Sequence, residues 1–264
     1  MSIWRWLRDA ALAAAVITLV GGAACAAGLK DEIAPTGKLR IAIAIGPAGG
    51  AFWCVKSDSG YAGVPVELGK AMAAQVGVPV EFIERPNSNA ITEEASQNVW
   101  DVAFMPKDAE RESKMSFGPV YDSVETTFIV RAGLDVANVA ALDQAGTEVA
   151  AIDDTTVLRG AKAFLKKATV TGFKSYDEVY ALLSAGEIDA LALARDQLVV
   201  MAKQLPGTKV LNETFKKTDT AVVVPLKHPQ SLAFVTRFMT DAKANGLLKK
   251  AYGANNLTES TLTQ

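Results

Sequence analysis

From Leu39 onward, short apolar runs alternate with stretches of helical length and period, and the alternation comes in two sets joined by apolar crossings. Residues 39–45 alternate large and small side chains and stop at Gly46-Pro47, as a buried strand running into a turn does. Residues 64–75 read as a helix with Val66, Leu68, Met72 and the following Val76 apolar and Gly77 as its stop. Residues 78–83 and 100–105 predict two further strands, with a short helix at 90–98 between them. Strand, helix, strand, helix, strand is half of a doubly wound α/β fold.

The second set repeats the scheme. A helical turn is expected at 139–144, strands at 148–152, 170–173, 189–194 and 210–211, and helices at 156–167, 176–185 and 197–204. An amphipathic helix at 229–248 closes the chain, with Leu232, Val235, Phe238 and Met239 on one face. Apolar runs near 126–131 and 221–225 bracket this middle block. A chain that crosses twice between halves builds a discontinuous first lobe and an inserted second one, and paired crossings are natural hinges for closure on a ligand. The expected division is 38–127 with 223–264 for the first lobe and 128–222 for the second.

The first 26 residues read as an export signal. Arg5 and Arg8 precede an apolar run over 10–20, and Ala24-Cys25-Ala26 offers a small-residue cleavage site. The run is short for a membrane span. Gly22-Ala23-Ala24-Cys25 also resembles a lipoprotein box that would lipidate Cys25, although Gly22 replaces the usual large aliphatic residue. A periplasmic location follows from either form of export. Removing the leader takes two of the 27 basic and one of the 29 acidic residues and leaves a net charge of −3. That balance lacks the clustered basic excess of a nucleic-acid binder. Cys54 then has no cysteine to pair with and reads as a small apolar filler.

The stretch Trp100 to Tyr121, WDVAFMPKDAERESKMSFGPVY, carries most of the chemistry. An apolar strand breaks at Pro106, a charged segment with Asp108, Glu110 and Arg111 follows, and Phe117-Gly118-Pro119 turns the chain. Loops after such strands hold ligand-facing groups. Arg111 stands out because a guanidinium can grip a carboxylate through two hydrogen bonds, although on spacing alone a surface arginine paired with Glu110 or Glu112 is the better fit. With Gly63-Val64-Pro65-Val66-Glu67-Leu68 and Gly186-Glu187-Ile188-Asp189-Ala190, in this order and spacing, the stretch resembles the family 3 bacterial extracellular solute-binding proteins from Gly37 to about Gly253.

The resemblance implies a two-lobed α/β fold of the type II periplasmic binding kind, each lobe a doubly wound sheet, with two hinge crossings. It implies a small-molecule anion or zwitterion as ligand and an ABC transporter permease as partner, with no cofactor, no metal, no nucleic acid and a monomeric state expected. Carried over by position, Arg111 is the anion grip, Trp53 is an aromatic wall with Phe52 beside it, and Thr155 and Thr156 mark a helix start. A helix start favours an anion through its free N–H groups, although Thr155 or Asp154 also fits as a plain N-cap. Core packing is the alternative for Phe52 and Trp53.

Departures from the family pattern bear on the ligand. Ala194 falls where many amino-acid binders carry the aspartate that meets an ammonium; Asp196, Asp153 and Asp154 are the nearby substitutes. Asp154 stands where the family prefers glycine. Met105-Pro106-Lys107-Asp108 replaces a longer, threonine-bearing segment, which puts Met105 beside the ligand position and an acid where a hydroxyl is usual. With Lys107 near Arg111, an organic acid or another ammonium-free solute becomes an alternative to an α-amino acid.

No zinc-type cluster, serine elbow or dinucleotide loop occurs, and His228 reads as part of a turn. The chain is therefore expected to bind rather than catalyse. The alternatives are a periplasmic dehydratase on the same fold, with Asp154 or Asp196 as its acid, and an accessory or sensor protein with a degenerate pocket.

Overall fold

The computed structural model describes residues 28–45, 52–255 and 257. The expected leader, Cys25 and the glycine-rich segment at 46–50 lie outside the described residues. The first part of the chain runs through β1 (Leu39–Ala44), a hairpin of β2 (Val55–Ser57) and β3 (Gly60–Ala62), α1 (Val64–Val76), β4 (Val80–Arg85), α2 (Ser88–Glu93), β5 (Val102–Pro106) and α3 (Ala109–Glu112). The long β6 (Met115–Val130) leaves it. After a 3-10 turn (Val139–Leu142) come β7 (Glu148–Ile152), α4 (Thr156–Phe164), β8 (Thr169–Phe173), α5 (Tyr176–Ala185), β9 (Ala190–Ala194), α6 (Arg195–Gln204) and β10 (Lys209–Val210). The chain returns along β11 (Lys216–Pro225) and ends in α7 (Pro229–Ala244) and α8 (Leu247–Ala254).

β1 pairs in parallel with β4 and β5, while β7 pairs in parallel with β8 and β9. β11 and β6 run antiparallel between these two groups, giving the order β4-β1-β5-β11-β6-β9-β7-β8. The pleat sorts side chains onto both faces. Ile41 and Ile43 pack with Val66, Met72 and Phe238, while Ala42 packs with Trp100 and Met105. Val149 and Ala151 face Leu158 and Ala161, while Ala150 and Ile152 face Val179 and Leu183. Helix cover on both faces is what the near-continuous apolar strands demanded.

Local chemistry sets several boundaries. Pro65 sits in the first turn of α1, and Gly77 ends that helix in the left-handed region (φ 74°) with its N–H on Ala73 O. α4 stops at Phe164, short of the expected 167, because Asp143 Oδ1 accepts from the N–H groups of Lys166, Lys167 and Ala168 at 2.8, 2.6 and 3.1 Å. Those bonds, Lys167 first, hold the Asp143 carboxyl below its usual range. Cys54 is buried in the first core, and burial pushes its thiol up to about 11.

One expectation is corrected. Phe117-Gly118-Pro119 does not turn the chain but lies inside β6. Val223 of β11 faces Phe117 and Ala221 faces Val120, so the segment bulges and Pro119 needs no ladder donor. A Cβ on Gly118 would stand 2.8 Å from Val222 Cγ1.

Candidate functional site

Every parallel strand delivers its carboxyl end to one cavity of about 230 Å³. Ala44, Pro86 and Pro106 arrive from β1, β4 and β5, and Ile152, Lys174 and Ala194 from β7, β8 and β9. That is where open α/β sheets place ligands. Trp53 forms a side wall, its ring in an edge contact with Phe52 at 4.8 Å between centroids. The floor is laid by β6 and β11 through Val124, Thr126, Thr218 and Thr220.

Of the residues singled out from the sequence, Trp53, Asp153, Thr155, Thr156 and Ala194 line this cavity. Thr155 is the N-cap of α4: its Oγ1 accepts from Leu158 N at 3.1 Å and donates to Ile152 O at 2.7 Å. Thr156 is buried, and its carbonyl accepts from Lys216 Nζ at 3.0 Å. Phe52 and Met105 belong to the core behind the wall. Asp154 is exposed at φ 60°, a left-handed conformation that glycine adopts without strain. Asp196 is exposed in the first turn of α6, and its neighbour Gln197 reaches the cavity instead. The two acids expected for a dehydratase are thus off the wall, and Asp153 is the one acid among the described lining residues.

Arg111 lies beside the cavity rather than on its wall, with its side chain 2% exposed. Its Nε donates to Thr92 Oγ1 (3.2 Å), Nη1 to Asp108 Oδ2 (3.0 Å) and Pro106 O (3.4 Å), and Nη2 to Ser88 Oγ (3.2 Å). Asp108 presents an internal carboxylate to the guanidinium. The same oxygen accepts from Arg159 Nη2 of α4 at 2.7 Å, which ties the β5 side of the cavity to the β7 side. Ser88 lines the cavity, so Arg111 orients that hydroxyl.

Burial raises the Asp108 carboxyl, but the Arg111 N–H, the Arg111 charge and Arg159 outweigh it and hold it below the usual range. Burial and the Arg159 charge lower the Lys216 ammonium, with Asp108 partly offsetting them. Arg111 and Arg159 therefore share the Asp108 carboxylate, while Lys216 is held on the Thr156 carbonyl. Lys107 is spent on Glu112 at 3.1 Å. Lys174 adds the one cationic side chain among the described lining residues. No group of three or more metal-type ligands occurs among the described residues.

Ala194, at the position where the resemblance implies an ammonium partner, does face the cavity and supplies no charge there. Thr126, Thr218, Thr220 and Lys174 were missed by sequence reasoning. β-Branched residues at alternate strand positions look like ordinary sheet formers, and only the register of β6 with β11 brings the three threonines together.

Comparison with known proteins fits this geometry. Residues 41–254 match the sequence model of the bacterial extracellular solute-binding proteins, family 3, and the chain belongs to that family. A glutamine-binding protein of Geobacillus stearothermophilus is 31% identical over 108 residues, a match spanning 41% of each chain. The crystal structure of the ancestral amino acid-binding protein AncCDT-1, a precursor of cyclohexadienyl dehydratase, superposes with a TM-score of 0.72 at 25% identity, covering 84% of this chain and 97% of that one. An amino acid ABC transporter substrate-binding protein from Streptococcus pneumoniae, bound to L-arginine, superposes with a TM-score of 0.71 at 22% identity over 88% of this chain and 98% of its own. The fold is thus that of the type II periplasmic binding proteins.

Proposed function

We propose that this protein is the periplasmic solute-capturing component of an ABC importer and takes a small carboxylate-bearing solute, amino acid-like or an organic acid, into the cavity. The observation that carries this reading is the convergence of six strand ends, three from each half of the sheet, on one cavity that Lys174 lines and whose Ser88 and Thr156 are held from behind by Arg111 and Lys216. The lobes are 38–127 with 223–264 and 128–222. β6 and β11 act as the hinge, and closure buries the solute before a permease receives it. Lys174 and the N-terminus of α4 meet the carboxylate. Arg111 contributes its charge and orients Ser88. The absence of a carboxylate at Ala194 favours solutes without an ammonium.

A thermal-shift screen of the purified protein against amino acids, organic acids and inorganic anions tests the reading. A ligand at a hundred times its dissociation constant stabilises the fold by about 2.7 kcal/mol, an unmistakable shift. Lys174→Ala is expected to weaken a carboxylate about tenfold, the loss of one charge-assisted hydrogen bond. No shift with any solute would remove the capture reading.

A second reading, a dehydratase, draws on the likeness to the ancestral binder described as a precursor of cyclohexadienyl dehydratase. Its general acid would have to be Asp153. Turnover of a cyclohexadienyl acid that disappears in Asp153→Asn would establish it.

A further inference from the structure

Thr126, Thr218 and Thr220 are 0%, 6% and 0% exposed, and the Oγ1 of each bonds to no protein group. All three line the cavity. Buried hydroxyls are ordinarily paired, because leaving one unpaired carries a desolvation cost, so three together at one surface call for an explanation. The register supplies their arrangement. Thr218 and Thr220 are two apart on β11 and share a face. Thr126 of β6 lies opposite Lys216 and so stands diagonal to Thr218. The result is a short row of hydroxyls along the two central strands, with Val124 beside it.

We propose that this row is a subsite that selects the body of the solute: a neutral segment bearing hydroxyl or carboxamide groups, which donate and accept as a threonine hydroxyl does. An apolar segment would bury the three hydroxyls without partners. A cationic segment would shed its water onto a floor of Val124 and three hydroxyls, while the lining acid Asp153 stands on the β7 side of the cavity and not on that floor. The inference rests on the capture reading above and names the solute class within it.

The test pairs carboxylates that differ in the body alone. D-Gluconate is set against hexanoate, and L-glutamine against L-norleucine, with L-arginine as the cationic case, by titration calorimetry on the full-length mature protein. The polar-bodied member of at least one pair is expected to bind ten times more tightly than its apolar partner. Thr218→Val and Thr220→Val, which keep the shape and remove the hydroxyl, are each expected to weaken that solute about tenfold, the worth of one good hydrogen bond. The apolar partner's affinity should rise, because the valine variants no longer bury an unpaired hydroxyl against it. Both variants should melt at or above the parent temperature, which separates lost recognition from lost folding. Tighter binding of the apolar or cationic solutes, or unchanged affinity for the polar solute in both valine variants, overturns the subsite and leaves capture standing. Binding of none of the five, together with a blank thermal-shift screen, overturns capture itself and the subsite with it.

Discussion

Asp108→Ala is expected to lower the unfolding free energy by about 3–5 kcal/mol, read from urea denaturation, because it strands a buried guanidinium. The Asp108 side chain is the N-cap of α3, accepting from Arg111 N at 3.0 Å, and it is also the counter-ion of Arg111. Asp108→Asn separates the two roles. Asparagine caps as well as aspartate, so it should recover the capping part, about 1 kcal/mol. The Arg159 contact adds little to stability, since that side chain is 42% exposed and such pairs are worth under about 1 kcal/mol.

The pH dependence follows from the sign of the shift. The folded carboxyl titrates below the ordinary aspartate value of about 3.9. Its contribution is therefore fully present above that value and is lost as the pH falls through the lower, folded one. The parent should lose stability in acid more steeply than Asp108→Asn. Parallel acid-denaturation curves would show that Asp108 is not the group responsible.

Gly63→Ala is expected to be nearly as damaging and to disable the cavity as well. Gly63 sits at φ 147°, ψ 162°, a region open essentially to glycine alone. A Cβ there would lie 2.4 Å from the carbonyl oxygen of Trp53 and 3.1 Å from Cys54 Cα. Both are backbone atoms and cannot swing aside. The strain and clash together should cost about 2–4 kcal/mol, and Trp53 must leave its place on the cavity wall. Gly133→Ala is the control: its φ is also positive, at 76°, but a Cβ would meet nothing within 4 Å. A smaller stability loss with intact solute binding is expected there. Equal losses in both variants would mean that the contact with Trp53 is immaterial.

How much of this was legible in the sequence depended on whether the controlling interaction was local. Glu148–Ile152 and Tyr176–Ala185 emerged at their expected bounds, because each is bounded by nearby chemistry, such as the Ser175 cap and the left-handed Gly186. The β2–β3 hairpin went unseen because its side chains are largely exposed and show no alternation of burial. Gly118-Pro119 read as a turn, since nothing local announces that a distant strand will absorb it as a bulge. The site divided in the same way. Motif order placed Trp53, Thr155 and Thr156, whereas the burial of Arg111 depends on Asp108, Ser88 and Thr92 meeting it in space. Asp108 stands out in the sequence as a departure, but its consequence lies in the meeting of Arg111 and Arg159 on one of its carboxylate oxygens, Arg159 from 51 residues away.

The floor of the cavity is built from the same two strands that join the halves of the sheet. A solute bonded to hydroxyls on both β6 and β11 would resist any slip of one strand past the other. The fulcrum, and not only the jaws, would then feel the cargo. Discrimination among solutes could be exercised through how freely the molecule bends, with a poor fit leaving the pivot slack and a good one locking it.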